Sequence, residues 1–578
     1  MTEAKEIYPI KLKGIPASPG IAVGRLRLLP NRDLEIPSEN ITEEEVKVHL
    51  ERAEKVLFSV EHQLKDLQQS QNNTEVRDIL DAQIQIVKDP ELKKKVFDLI
   101  NQQKRSAEFA LYSSFNEFIQ LLQQTGQEWV KDRIVDLQSL RDKIIHQTLS
   151  PGVQKDRTKG EILFAEELSP TDIIEYNDSG VEAVVMKHGG TTSHAVIIAQ
   201  SLEIPCVAGA DWLHSQVIHA NMVAVDAELG EVILNPDSEV LEQFRVRKEN
   251  RKKASFEAME IGKKPDTTRC GIDFNIRANI EFEVELKKVK NYRAKGVGLL
   301  RTETLFLQQG YFDPGRHLDF YRLVLEQTAS HPVTVRLLDV GGDKLLGRKL
   351  DEANPFLGWR GCRMLLEEDE LLESQLRVIL TVASEFPGRV EILVPMITDV
   401  SEIHQINLKV DQVKAALKKE GLEINEKIPV GAMIEVPAIA LQADEAAEAA
   451  DFFSIGSNDL TQYVLAVDRG NERISAYFRS GHPAVLKMIS MAYKAANKAN
   501  IPVSVCGEMA GNPLLAAALL GMGIRDLSMN PASIASVKRV LCENKIDTFK
   551  SLYHSLIHSS DGVAADQVIR DWREAYLH

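Results

Sequence analysis

A chain of 578 residues with 44% hydrophobic and 27% charged residues has the composition of a globular protein of three or four domains. Its formal net charge of −16 works against non-specific binding to nucleic acid, and the lack of about 18 successive apolar residues gives no expectation of membrane insertion. The five cysteines, Cys206, Cys270, Cys362, Cys506 and Cys542, are scattered with no CxxC pair, which argues against a zinc or disulfide framework and fits a cytoplasmic protein.

The first residues carry no apolar signal core. Residues 11–14 and 21–29 read as short strands about the Ser18-Pro19-Gly20 turn. From 36 to 148 the character changes. Glu, Lys, Gln and Leu dominate, and Ile79, Leu80, Ile84, Ile86 and Val87 recur at helical spacing, which predicts a helical subdomain. Alternating short strands and helices resume at 149–236, with strands expected at 161–165, 183–186 and 222–226. Residues 1–35 and 149–236 are therefore expected to form one α/β domain into which the helices are inserted. The charged stretch 237–268 is expected to be an exposed linker helix. A nucleic-acid patch there is disfavoured because aromatic residues are sparse.

Within the α/β stretch, Gly189-Gly190-Thr191-Thr192-Ser193-His194 delivers one histidine to the head of the apolar run Ala195-Val196-Ile197-Ile198-Ala199. Helix N-termini have unpaired N–H groups and welcome an anion, so His194 is well placed to accept and hold a phosphoryl group. A glycine turn leading into a core helix would carry the same residues.

Residues 269–578 hold eight strand candidates separated by helical runs, at 276–280, 296–300, 333–339, 391–396, 430–435, 451–456, 502–506 and 526–529. This alternation predicts a (β/α)8 TIM barrel, whose chemistry lies at the C-terminal strand ends. Those ends carry Arg301, Arg336, Asp339, Glu435, Asn458, Asp459 and Cys506, and Arg469 follows one helix later. A strand-end arginine taken singly is more often a structural ion pair. Three arginines together, Arg301, Arg336 and Arg469, suit a small substrate bearing phosphate and carboxylate. Glu435 and Asp459 are hard oxygen donors of the kind Mg²⁺ takes. Cys506 reads either as a buried small hydrophobe or as a proton donor to that site.

Several longer runs now carry a resemblance. They include Gly14-Ile-Pro-Ala-Ser-Pro-Gly-Ile-Ala, Thr192-Ser193-His194, Arg301-Thr302-Glu303, Asp339-Val-Gly-Gly-Asp343-Lys344, Asn354-Pro-Phe-Leu-Gly-Trp-Arg360, Met433-Ile-Glu435-Val-Pro437, Ser457-Asn458-Asp459-Leu-Thr-Gln-Tyr, Ala466-Val-Asp-Arg469 and Cys506-Gly-Glu508-Met-Ala-Gly511. Across essentially its whole length the chain resembles the Enzyme I family of the bacterial phosphoenolpyruvate-dependent phosphotransferase system. The resemblance implies a phosphoenolpyruvate–protein phosphotransferase that opens the sugar-transport phosphorelay. His194 would be phosphorylated on Nε2. Arg301, Arg336, Asn458, Asp459 and Arg469 would bind phosphoenolpyruvate. Glu435 and Asp459 would hold Mg²⁺, and Cys506 would protonate the methylene carbon as pyruvate forms. The helical zone would dock the carrier HPr, the barrel would form a homodimer, and a swivelling His194 domain would serve both.

The chain also departs from the family pattern. Thr191 and Gln200 stand where arginine is usual, His188 is an extra histidine, Gln83 replaces a common histidine and Gln138 a common arginine. All are expected near the phosphohistidine or the carrier-docking face. A pyruvate-utilising dikinase is disfavoured, since a large ATP-binding domain and a GxxxxGK[ST] loop are lacking. A nitrogen-type regulatory relay, or a protein that senses phosphoenolpyruvate or pyruvate without relaying phosphate, stays open at this stage.

Overall fold

The structure is a computed structural model. It describes residues 9–29, 36, 40–70, 74–123, 130–149, 159–188, 194–309, 311–328, 330–341, 352, 354–424, 427–468 and 473–576. Its contacts separate two compact units, Met1–Ala254 and Ser255–His578.

In the first unit, β1 (Ile10–Lys13), β2 (Ile15–Ser18) and β3 (Ile21–Leu28) precede five helices, α1 (Val46–Ser70), α2 (Thr74–Lys88), α3 (Pro90–Asn101), α4 (Ala107–Gln123) and α5 (Val130–Leu149). The chain then returns to the sheet through β4 (Glu161–Ala165), α6 (Pro170–Asp178), β5 (Ala183–Met186), α7 (His194–Ser201), β6 (Cys206–Ala208), α8 (His214–Val217), β7 (Met222–Asp226) and β8 (Glu231–Leu234). Helix α9 (Ser238–Lys263) follows, and the division between the units falls inside it. The sheet order is β1-β8-β7-β3-β4-β5-β6-β2, so the helices are an insertion between two central neighbours, β3 and β4. Those two strands approach closely because residue 24 is glycine: a Cβ there would lie 2.7 Å from the Gly160 carbonyl oxygen. Pro16 is tolerated in β2 because that strand is at the sheet edge, where a missing N–H costs no ladder bond.

The helices start where their caps dictate. Asp89 accepts from the Glu91 amide at 2.7 Å with Pro90 in the first turn of α3, and Ser169 and Asp172 form a reciprocal capping box on α6. One face of the sheet shares a core with the helices, joining Leu57, Leu80, Leu111 and Phe115 to Met186 and Val196. The opposite face packs Phe164, Val185 and Trp212 together.

The second unit is the expected barrel. Strands β9 (Asn275–Ile280), β10 (Val297–Leu300), β11 (Val333–Arg336), β12 (Val390–Val394), β13 (Val430–Ile434), β14 (Phe452–Ile455), β15 (Val503–Val505) and β16 (Asp526–Met529) pair in parallel with their sequence neighbours. Strand β16 closes onto β9. Several strands are buried on both faces, as covered parallel sheets require. Strand β11 is shorter than expected. The Leu337 amide still donates to the Leu393 carbonyl of β12 at 2.9 Å, and pairing stops beyond it because the next amides turn to side chains: Leu338 N donates to Gln375 Oε1 at 3.0 Å and Asp339 N to Glu303 Oε1 at 3.1 Å. Among the described residues no helix is long and apolar enough to cross a membrane.

Candidate active site

Barrel closure gathers the C-terminal strand ends. Arg301 directly follows β10, Arg336 closes β11, Glu435 follows β13 and Cys506 follows β15. Asn458 and Asp459 lie in the first turn of the helix Ser457–Leu465, one residue beyond the loop glycine after β14. Arg469 lies outside the described residues.

The arginines come with counter-charges: Asp339, itself among the expected strand-end residues, together with Glu303 and Glu281. Arg336 is 6% exposed and donates to Glu303 Oε1 at 2.9 Å, with Asp339 Oδ2 at 3.6 Å. Asp339 in turn takes both donors of Arg360, at 2.9 and 2.6 Å, in the planar two-point geometry that guanidinium and carboxylate favour. Burial alone would raise the Asp339 carboxyl. Arg336, and then Arg360, outweigh it and hold Asp339 below the ordinary carboxylate range. Burial also disfavours the Arg336 charge, but Glu303, Asp339, Glu435 and Asp459 surround it and raise its pKa. Arg301 is looser, with Glu281 at 3.8 Å. Both Arg301 Nε and Arg336 Nε are buried without a hydrogen-bond partner.

Glu435 is fully buried. Burial first, then the neighbouring Asp459 and Asp339 charges, push its carboxyl up to about 8, against the pull of Arg336 and the Met396 amide. Its Oε1 accepts from Met396 N at 2.6 Å, while its Oε2 has no partner. Asp459 Oδ1 is likewise buried and unpartnered. Two neighbouring carboxylates, each with an unsatisfied buried oxygen, form a donor set that fits a hard divalent cation. Residue 456 has to be small: a Cβ there would sit 2.7 Å from Glu435 Oε2.

Asn458 is oriented by Glu508. Its Nδ2 donates to Glu508 Oε1 at 3.1 Å and its Oδ1 accepts from Glu508 N at 2.8 Å. Cys506 is buried among Leu299, Leu393, Met433 and Phe452. Burial pushes its thiol up to about 11, with a Ser454 hydrogen bond opposing, so the sulfur keeps its proton at neutral pH. That state suits an acid rather than a nucleophile.

In the first unit His194 is the first residue of α7. Residues 189–193 and the His194 side chain lie outside what is described. Helix α7 is anchored by Ala195, Val196, Ile198 and Ala199, all buried.

Three family models cover most of the chain. The PEP-utilising enzyme N-terminal model matches residues 13–133, its mobile-domain model 157–230 and its PEP-binding-domain model 256–546. The phosphoenolpyruvate-protein phosphotransferase of Bacillus subtilis (strain 168) is 33% identical, covering 96% of this chain and 98% of that protein. The protein of the same name from Priestia megaterium is 35% identical, covering 91% and 93%. That of Buchnera aphidicola subsp. Baizongia pistaciae is 33% identical, covering 94% and 95%. The chain belongs to the phosphoenolpyruvate-protein phosphotransferase family.

This member of the family places its departures unevenly. Gln200 donates to the Ala17 carbonyl at 2.6 Å and so ties α7 to β2. His188 is exposed, and its amide donates to the Glu166 carbonyl at 2.8 Å. Gln138 is half-buried. Gln83 is only 3% exposed and its Nε2 has no partner, so it lies in the helical core rather than on an open docking face. Glu303, Arg360 and Glu508 join the site beyond the expected residues. Each sat inside a quoted motif, and the signal for the first two was charge balance: buried arginines require buried carboxylates, and the reverse.

Proposed function

We propose that this chain transfers the phosphoryl group of phosphoenolpyruvate to His194 Nε2, releases pyruvate, and passes the phosphoryl group to a histidine of an HPr-type carrier. It thereby opens a phosphotransferase system. The observation that carries the reading is the barrel-end constellation. Two guanidiniums with unpartnered buried donors, two carboxylates with unpartnered buried oxygens and a buried protonated thiol sit at the strand ends of one barrel, in a chain of this family.

Arg301, Arg336 and Arg469 neutralise the phosphate and carboxylate of the substrate, and Asn458 and Asp459 orient it. Arg336 is preorganised by Glu303 and Asp339, so little rearrangement accompanies binding. Glu435 and Asp459 would hold Mg²⁺, which supplies positive charge to the phosphoryl oxygens during transfer. Cys506 gives its proton to the methylene carbon as the carbon–oxygen double bond of pyruvate forms.

Residues 36–148 are assigned to carrier docking, 1–35 with 149–236 to the phosphohistidine domain, 237–268 to the linker helix, and 269–578 to substrate binding and homodimerisation. A cytoplasmic location fits five cysteines none of which is disulfide-bonded. The test is incubation with ³²P-labelled phosphoenolpyruvate and Mg²⁺, then with an HPr-type carrier. Label should appear on the protein and pass to the carrier. Label that never enters would overturn the reading, and label that enters without leaving would favour a sensor over a relay.

A further inference from the structure

The helix Asp369–Glu385 buries Leu372, Leu376, Ile379 and Leu380 in the core of the barrel unit. Among its buried positions Gln375 alone is polar, and Gln375 is fully buried. A side-chain amide there needs partners for its donors and its acceptor, or its burial carries a cost that an apolar side chain avoids. It finds them on two neighbouring strand exits. Leu338 N donates to Gln375 Oε1 at 3.0 Å, and Gln375 Nε2 donates to the Thr302 hydroxyl and to the Arg336 carbonyl, each a longer contact at 3.5 Å. The direction of the amide follows from its partners, since a backbone N–H only donates and a carbonyl only accepts.

These partners lie where the sheet stops holding the chain. Strands β10 and β11 pair as far as Leu300 opposite Val335, and Leu337 makes one further bond, to β12. Arg301 and Arg336 directly follow Leu300 and Val335. Past that point two side chains bridge the exits. Glu303 accepts from the Arg336 guanidinium at 2.9 Å and from the Asp339 amide at 3.1 Å. Gln375 engages the chain on either side of the arginines: Thr302 next to Arg301, the carbonyl of Arg336 itself and the amide of Leu338. Glu303 thus holds one guanidinium, whereas Gln375 holds the chain from which both guanidiniums project.

We propose that Gln375 is a positioning residue for phosphoenolpyruvate binding, which from a neighbouring helix sets the separation of the Arg301 and Arg336 guanidiniums. This rests on the reading of both arginines as substrate ligands. A substrate that carries both a phosphate and a carboxylate is sensitive to the spacing of the cations that receive them. Gln375 acts only through the two arginines. Its effect is on affinity, because cations at the wrong spacing lose contact with both anionic groups in the ground state and the transition state alike.

The test is exchange of labelled pyruvate into phosphoenolpyruvate by the full-length protein with Mg²⁺. The KM for phosphoenolpyruvate and the maximal rate are read separately, and the thermal midpoint is measured alongside. Gln375→Met keeps the length of the side chain and removes the amide. It should raise KM about fivefold or more while the maximal rate stays within about threefold. Leu372→Ala is the packing control, one turn earlier on the same helix and buried in the barrel core. It should lower the thermal midpoint at least as far as Gln375→Met does and leave KM within about twofold. An unchanged KM in Gln375→Met would overturn the proposal. So would an equal rise in Leu372→Ala, because the effect would then be packing alone. Should Gln375→Met fail to fold, Gln375→Asn decides. It keeps an amide but is too short to reach Leu338, Thr302 and Arg336 together, so KM should again rise, and an unchanged KM there overturns the proposal. Arg301→Ala separates the two readings. If it leaves KM unchanged, the arginine assignment fails and this proposal with it. If it raises KM while Gln375→Met does not, only the positioning role fails.

Discussion

The two units present reactive groups by opposite means. The barrel surrounds its site with buried charges that hold one another: Arg336 with Glu303 and Asp339, Asp339 with Arg360, and Glu435 under pressure from Asp459. In the proposed reaction the α/β unit relies on one histidine, His194, the first residue of an eight-residue helix whose described buried positions are apolar. Of the polar residues that distinguish its surroundings, Gln200 is committed to the Ala17 carbonyl and His188 is exposed. A preorganised cluster fails when any member is removed, because the partners stay buried and uncompensated. A site that rests on one side chain fails completely at that residue and only slightly at its neighbours.

The largest effect therefore belongs to His194. His194→Ala should abolish labelling by phosphoenolpyruvate while substrate binding to the barrel, followed by calorimetry, persists. His188→Ala should still be labelled. Persistent label in His194→Ala would remove the contrast by moving the acceptor elsewhere.

Next comes the ionic cluster. Asp339→Ala leaves Arg336 and Arg360 buried without their shared carboxylate. The expected cost is about 3–5 kcal/mol, seen as a lower urea midpoint for the barrel transition, along with lost phosphotransfer. An unchanged midpoint would show that these charges are not mutually dependent, and the contrast between the units would weaken.

Divalent metal should act on the same cluster through Glu435. Without metal its carboxyl is raised to about 8, whereas in the unfolded chain it titrates near the ordinary glutamate value, so between those values the folded state holds the extra proton. Stability of the metal-free protein should fall as pH rises through that window. Mg²⁺ should displace the proton, releasing close to one per site at pH 7, measured by calorimetry in buffers of different ionisation enthalpy. Glu435→Gln should release none. Equal release from Glu435→Gln would place the titrating group elsewhere.

The sequence made some of this legible and hid the rest for physical reasons. The eight barrel strands are legible because short strand-like segments recur between helical runs, and the strand-end rule then exposes Arg301, Arg336, Glu435 and Cys506. The ion pairs were not visible, because Arg336 meets Glu303 33 residues away and Arg360 meets Asp339 21 residues away only once the barrel closes. In the α/β unit, β2, β6 and β8 lie outside the expected strands; β2 holds Pro16, which argues against a strand. The burial of Gln83 could have been read. It lies three residues after Leu80 and four before Val87, both fully buried, and so belongs to the inner face of α2.

The smallest predicted effect lies beside His194, where the resemblance implies arginine at the positions of Thr191 and Gln200. A phosphohistidine is anionic, and an exposed guanidinium near it contributes at most about 1 kcal/mol, roughly a fivefold change in equilibrium ratio. Gln200 already serves the Ala17 carbonyl, so replacing it would confound packing with charge. Thr191→Arg is the cleaner change and should raise the phosphorylated fraction at a fixed phosphoenolpyruvate-to-pyruvate ratio. His188→Ala should lower it. Titrating the phosphorylated fraction against the substrate ratio for the three proteins decides the matter. Coincident curves would mean that these positions do not act on the phosphohistidine, and the departures would then be changes in carrier docking. Curves that separate by much more than fivefold would mean that the α/β unit, like the barrel, depends on a coupled set of charges.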